Sequence, residues 1–259
     1  MQQRRPGFPV RMPLPTSGQR PTPGLGVKPA PLSGVPVPAG LGLDSAAVRT
    51  RMVQRLSSMG IAAPQVLQAM AKVERHRFVD TGLVNQAYED TSLPIGLGQT
   101  ISKPSIVARM AELLLGAEAV RATGGLGRVL EIGTGCGYQA AVLSHLAREV
   151  YSMERLRGLH DKARDNLRPL RLANVHLLFG DGMAGFPKGA PYAAIVSAAG
   201  GATLPDAWCD QLAVGGRLVA PFAREDGQQV LLVVDKTVHG LKQTVLETVH
   251  FVPLKSGVA

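Results

Sequence analysis

The sequence predicts an α/β domain wound around a mostly parallel sheet, and three observations point there. From Arg128 onward, short apolar runs of strand length alternate with helical stretches, the pattern of a parallel sheet covered by helices on both faces. One run, RVLEI at 128–132, passes directly into glycines at 133, 135 and 137 and then into a helical stretch. Strand, glycine turn and helix in that order open a ligand crevice at the carboxyl end of a parallel strand. Near the end of the chain, 217–222, 229–235 and 244–251 lie too close together for intervening helices, so they are expected as antiparallel additions at the sheet edge. The 259 residues, 45% apolar and 18% charged, suffice for one core of ordinary size.

Residues 1–43 hold ten prolines and seven glycines, with five basic residues (Arg4, Arg5, Arg11, Arg20, Lys28) and no acid. Such a segment cannot bury enough apolar surface to offset its ordering entropy, and it is expected as a disordered extension. Residues 44–259 are expected as one domain, with a helical and loop region at 44–125 and a sheet core at 126–259. Asp44 or Ser45 can cap a helix through about Ser58, with Val48, Met52, Val53, Leu56 and Met59 on its apolar face and Gly60 at its stop. Pro64 suits the first turn of a second helix that turns Val66, Leu67, Met70 and Val73 inward. Residues 86–104 combine weak periodicity with many turn formers, and predict a surface loop with a short extended piece. A helix fits 105–115, and Gly116 and Gly124–Gly125 loosen the chain before the sheet. Strands then fit 128–132, 149–153, 174–179 and 192–197, with helices at about 138–147, 155–168 and 204–212 and right-handed crossovers between them.

Several function classes are disfavoured. The formal charge is +9, but five of those charges sit in the first 43 residues; the remainder has 23 basic and 19 acidic residues, a net of +4. There is no aromatic RNA-binding strand, zinc-finger pattern or evident recognition helix, and one Trp gives no stacking platform, so a nucleic-acid partner is not expected. No 18-residue apolar run predicts a membrane span, and prolines interrupt any signal-like start, which points to the cytoplasm. Cys136 and Cys209 make no disulfide framework, and the scattered histidines form no HExxH; no metal is expected, and a monomer is.

The glycine turn can be compared with a dinucleotide fingerprint. Gly133 and Gly135 supply the first two glycines of GxGxxG, but the third position holds Tyr138, too bulky for close helix–strand packing. The observed spacing is ExGxGxG, with Glu131 inside the strand. Glu154 ends the second strand, 21 residues after Gly133, where an acid can accept hydrogen bonds from both ribose hydroxyls. Asp181 and Gly182 follow the third strand; Asp181 could accept from an adenine amine, or the pair could be a plain turn.

The ExGxGxG segment resembles motif I of the class I S-adenosylmethionine-dependent methyltransferases, which implies a Rossmann-like doubly wound fold. It implies that Gly133, Thr134, Gly135 and Gly137 cradle S-adenosyl-L-methionine, that Glu131 faces its cationic methionine part, and that Glu154, Asp181 and Gly182 serve the nucleoside. Over nearly all of 46–254 the chain is similar to the protein-L-isoaspartate O-methyltransferase family. The similarity rests on Arg75–Val79, Leu93–Ser102 (LPIGLGQTIS), Glu131–Leu143, Tyr151–Arg155, Asn174–Val175, Gly180–Gly182, Gly185, Gln211–Leu212, Gly215–Val219 and Phe251–Leu254.

This resemblance implies methyl transfer from S-adenosylmethionine to the free α-carboxylate of L-isoaspartyl residues in damaged proteins or peptides, which are then the expected partners. The ester would close to a succinimide away from the enzyme. Thr100, Ile101, Ser102 and Lys103 would meet the substrate, with Ser102 catalytic through alignment. A carboxylate is already ionised near neutral pH, so alignment and exclusion of water can suffice. Ser102 could instead cap the helix that begins near Pro104. Three positions depart from the family pattern: Lys103 stands where Gln or Ala is common, Cys136 where Ser is usual, and Gly200 where the family has proline. The alternative reading keeps the cofactor and changes the acceptor to another carboxylate, a small molecule or RNA.

Overall fold

Two amphipathic helices, α1 (Ala46–Ser58) and α2 (Pro64–Lys72), open the computed structural model, which describes residues 46–259. The expectations for 1–43, and for a cap at Asp44 or Ser45, lie outside the described residues. Helix α1 buries Met52 and Leu56, and α2 buries Val66, Ala69 and Met70. Gly60, at φ +99°, makes the turn between them.

Two 3₁₀ turns follow, Arg75–Phe78 and Thr81–Gln86. Arg75 is fully buried. Its Nε donates to the Ala87 carbonyl at 2.8 Å and its Nη2 to the Thr91 carbonyl at 3.3 Å, while the guanidinium lies 4.8 Å from the Tyr138 ring centroid. The predicted surface loop at 86–104 holds an antiparallel hairpin, β1 (Leu93–Gly96) with β2 (Gln99–Ile101), Leu93 facing Ile101. Strands of four and three residues are too short to show an alternation. Leu97 and Gly98 both have positive φ, 53° and 69°, the twist a two-residue hairpin turn requires.

Helix α3 (Pro104–Leu115) starts on its proline, as expected. Its cap comes from far back in the chain. The Asp90 carboxylate accepts the Ser105 N–H at 2.8 Å and the Ser105 hydroxyl at 2.7 Å, while Lys103, at the cap position, makes no side-chain capping bond. Asp90→Ala is expected to lower unfolding free energy by about 1–2 kcal/mol, read from the urea midpoint at unchanged m-value. The sequence did not announce α4 (Glu118–Thr123); the left-handed Gly124 that ends it acts as a helix stop, not a spacer.

The core elements are β3 (Leu126–Ile132), α5 (Tyr138–Ser144), β4 (Ala147–Glu154), α6 (Arg157–Leu167), β5 (Val175–Phe179), β6 (Tyr192–Ser197), β7 (Ala199–Gly200), α7 (Asp206–Gln211), β8 (Leu212–Ala223), β9 (Gln229–Thr237), β10 (Gly240–Val249) and β11 (Val252–Pro253). The seven-stranded sheet runs β10-β9-β8-β6-β3-β4-β5. Here one expectation is corrected. Residues 217–222 were expected as an antiparallel addition, but β8 runs parallel to β6, with Ala194 opposite Arg217. Helix α7 supplies the crossover that returns the chain in the same direction; only β9 and β10 are antiparallel. Central strand β3 has β4 on one side and β6 on the other, so the winding reverses at its carboxyl end. That is where a doubly wound sheet opens a crevice. The sheet is covered on both faces by apolar packing, with Val129 and Leu130 of β3 fully buried in opposite clusters.

Candidate active site

The loop after β3 forms one wall of a cleft of about 480 Å³, within the usual size of small-molecule sites. Gly133 and Gly135 line it, as do Met153 and Glu154 from β4, Leu97 to Thr100 from the hairpin, and Val252 to Lys255. Gly135 has φ +58°, and a Cβ there would come within 3.2 Å of Ile95 Cδ1. A side chain would therefore both strain the turn and fill the wall. Gly137 serves packing instead: a Cβ there would meet Leu167 at 3.0 Å.

Glu154 is 5% exposed and lines the cleft. Its Oε2 accepts the Gly135 N–H at 2.9 Å and its Oε1 the Leu156 N–H at 2.9 Å. Two backbone donors thus fix the carboxylate, and each oxygen keeps a lone pair for a ligand hydroxyl.

Glu131 lies behind the loop and does not line the cleft. It is fully buried; the Ser152 hydroxyl donates to Oε2, and Oε1 has no partner among the described residues. Ser152 also meets Thr134 Oγ1 at 2.7 Å, so Thr134 faces the strand more than the cleft. Burial pushes the Glu131 carboxyl up to about 8. Because this lies above its unfolded value, the native state holds a proton that the unfolded chain has released between about pH 4.5 and 8. Stability from this group is present below that window and is lost as pH rises through 8. The ligand-free protein is expected to lose melting temperature from pH 5 to 8, and Glu131→Gln to flatten that slope; a parallel slope in both proteins would refute the assignment.

Asp181 does not line the cleft either. Its Oδ1 accepts the Met183 N–H at 2.8 Å and its Oδ2 the Gly257 N–H at 2.7 Å. Its neighbour Gly182 does line the cleft, and a Cβ there would meet Ile132 Cγ2 at 2.6 Å.

A smaller cavity of about 30 Å³ adjoins the loop, lined by Thr100, Ile101, Ser102, Gly133, Thr134, Gly135 and Ala198 among others. Ser102 lines it, and its hydroxyl makes no hydrogen bond within the described residues. Since Asp90 caps α3, Ser102 is not the cap that the sequence allowed. Lys103 stands beyond, exposed to solvent.

The wall at 252–255 was not given a role from sequence. It reaches the cleft because β11 pairs in parallel with β7, and because the Gln229 amide brackets Phe251, donating to its carbonyl at 3.2 Å and accepting its N–H at 2.6 Å. Gly200, where a proline was expected, sits so close to β8 that a Cβ would lie 2.9 Å from Pro221 Cβ.

The family model described as protein-L-isoaspartate(D-aspartate) O-methyltransferase matches residues 47–259. The chain belongs to that family. It is a class I S-adenosylmethionine-dependent methyltransferase, and its cofactor is S-adenosyl-L-methionine. The protein-L-isoaspartate O-methyltransferase of Methylibium petroleiphilum is 60% identical over 222 residues, 85% of this chain and 81% of its own. That of Leptothrix cholodnii is 54% identical over 260 residues, 98% and 88%. Among solved structures, a protein-L-isoaspartate O-methyltransferase superposes with TM-score 0.72 at 27% identity, over 81% of this chain and 67% of its own. A Plasmodium falciparum structure containing S-adenosyl-L-homocysteine shares the fold, with TM-score 0.67 at 24% identity over 80% and 98%. The residues present fit the cofactor of this methyltransferase family: a glycine wall that a Cβ would fill, and a carboxylate at Glu154 fixed on the cleft by two backbone donors, with lone pairs left for a diol.

Proposed function

We propose that the cleft seats S-adenosylmethionine with its ribose at Glu154, and that Ser102 aligns the free α-carboxylate of an L-isoaspartyl residue beside it. The enzyme methylates isoaspartyl residues of damaged proteins. One observation carries the residue assignment: the unpartnered Ser102 hydroxyl shares its cavity with Gly133 and Gly135, the loop that also walls the cofactor cleft.

When bound, the cofactor supplies an electrophilic methyl group on a sulfonium. Everything else falls to the protein. Glu154, held by two N–H donors, accepts from the ribose hydroxyls. Ser102 donates to one carboxylate oxygen and so fixes the attack line of the acceptor. Apolar Ile95, Ile101 and Val107 line the same cavity and exclude water that would compete for methyl. The acceptor arrives ionised, so no general base is needed. The buried Cys136 thiol, pushed up to about 11 by burial, is no nucleophile at neutral pH.

Among the described residues no cluster of His, Cys, Asp or Glu could hold a metal ion, and no helix is long and apolar enough to cross a membrane. The reading is tested with methyl-labelled cofactor and an isoaspartyl peptide beside its normal aspartyl twin. Label should enter only the isoaspartyl peptide; label in both or neither would overturn it.

A further inference from the structure

Next to the Ser102 cavity lies another pocket, of about 140 Å³, between the start of α3 and the chain leaving β10. Ser102 lines both. The second pocket is edged by Lys103, Thr248 and His250, and no carboxylate lines it. Acids on the flanking elements are engaged elsewhere. Asp90 holds Ser105, Glu112 accepts the Ala62 and Ala63 N–H groups at 2.7 and 2.8 Å, and Glu247 pairs with Arg109 at 2.9 Å. Glu89 lies outside the lining. The Lys103 ammonium and the His250 ring have no hydrogen-bond or ionic partner among the described residues. Lys103 also stands at the positive end of the 12-residue helix α3.

An unpaired ammonium on a polar pocket free of carboxylates fits an anion. The pocket's place says which one. Across an ordinary peptide bond consecutive Cα atoms are only about 3.8 Å apart, and the β-linkage after an isoaspartyl residue adds one methylene, so an acceptor residue held at Ser102 leaves an adjacent side chain at the mouth of the neighbouring pocket. We propose that this pocket is a specificity subsite for an acidic side chain flanking the isoaspartyl residue, with Lys103 supplying the charge and His250 the opposite polar wall. The proposal rests on the isoaspartyl reading above and adds a charge preference to it.

Four isoaspartyl peptides of equal length decide the matter: one neutral, one with Glu just before the isoaspartyl residue, one with Glu just after, and one with Lys in place of the better Glu. The better Glu peptide should exceed its Lys counterpart in kcat/KM by about threefold to tenfold at low salt, with the difference in KM, and the ratio should shrink toward one at about 0.5 M NaCl. Lys103→Gln should bring the ratio near one while calorimetric affinity for S-adenosylhomocysteine is retained, and His250→Gln should reduce it in part. A ratio of one in the parent enzyme, or a preference for Lys, overturns the subsite while leaving methylation of the neutral peptide intact. A ratio that survives in both variants also overturns it. Failure to methylate the neutral peptide sinks the isoaspartyl reading and the subsite together.

Discussion

Glu154→Gln is expected to weaken S-adenosylmethionine binding about 100-fold, from about 3 kcal/mol of lost interaction. The carboxylate is 5% exposed and takes one N–H from the glycine loop and one from Leu156. An amide offers a single carbonyl oxygen, so either Gly135 or Leu156 must face an NH₂ group. The buried N–H left unpaired costs about 1–3 kcal/mol, and a charge-assisted bond to a ribose hydroxyl, worth about 1.5–3 kcal/mol, weakens as well. The two losses separate experimentally. Denaturation of the ligand-free protein reports the first, and titration calorimetry with S-adenosylhomocysteine reports the second, because the unpaired N–H is common to free and bound enzyme. Affinity within about threefold of the parent, together with a clear loss of stability, would reduce Glu154 to a brace for the glycine loop.

Ser102→Ala should lower kcat/KM for an isoaspartyl peptide by about 30- to 100-fold, the worth of one hydrogen bond to a charged acceptor and the alignment it imposes. Stability and cofactor-product affinity should hardly change. The hydroxyl has no partner within the described residues, and α3 is capped by Asp90. A mere structural serine would behave oppositely, losing melting temperature and keeping turnover. Parent-level turnover in the alanine variant removes Ser102 from the mechanism.

The parts of this site that the sequence announces share a local cause. Gly133 and Gly135 follow an apolar strand within a few residues, and Glu154 ends the next strand, so periodicity alone places them on one rim. Ser102 is announced by family resemblance, and its freedom from capping appears only in the fold, because α3 is capped by Asp90, 15 positions before the Ser105 that it holds. Asp181 is equally opaque. Nothing near it in sequence shows that Gly257, 76 positions later, donates to its carboxylate. The wall at 252–255 depends on a two-residue parallel pairing with β7 and on the Gln229 bracket, neither of which leaves a periodic trace. The direction of β8 was misjudged because spacing to β9 shows only that those two strands are antiparallel; which way β8 runs against β6 depends on the short α7 crossover.

The buried Arg75 also bears on how new specificities can be moved between relatives. Among the described residues it pairs with no carboxylate; it grips the carbonyls of Ala87 and Thr91, on the stretch that leads into the hairpin, while Asp90 between them fixes the start of α3. The Arg75 and Asp90 bonds therefore tie the residues from 75 to 105 to one another, and Lys162 reaches Asp80 and the Ile95 carbonyl, both at 2.9 Å, as a tether to the sheet core. A graft that exchanges only 93–103 would set a foreign hairpin on a guanidinium shaped for another backbone. A graft with its joints before 75 and after 105 carries the anchor, the cap and the substrate face in one piece, and asks of the recipient a lysine at 162 and an aromatic ring at 138 to receive Arg75 and Phe78.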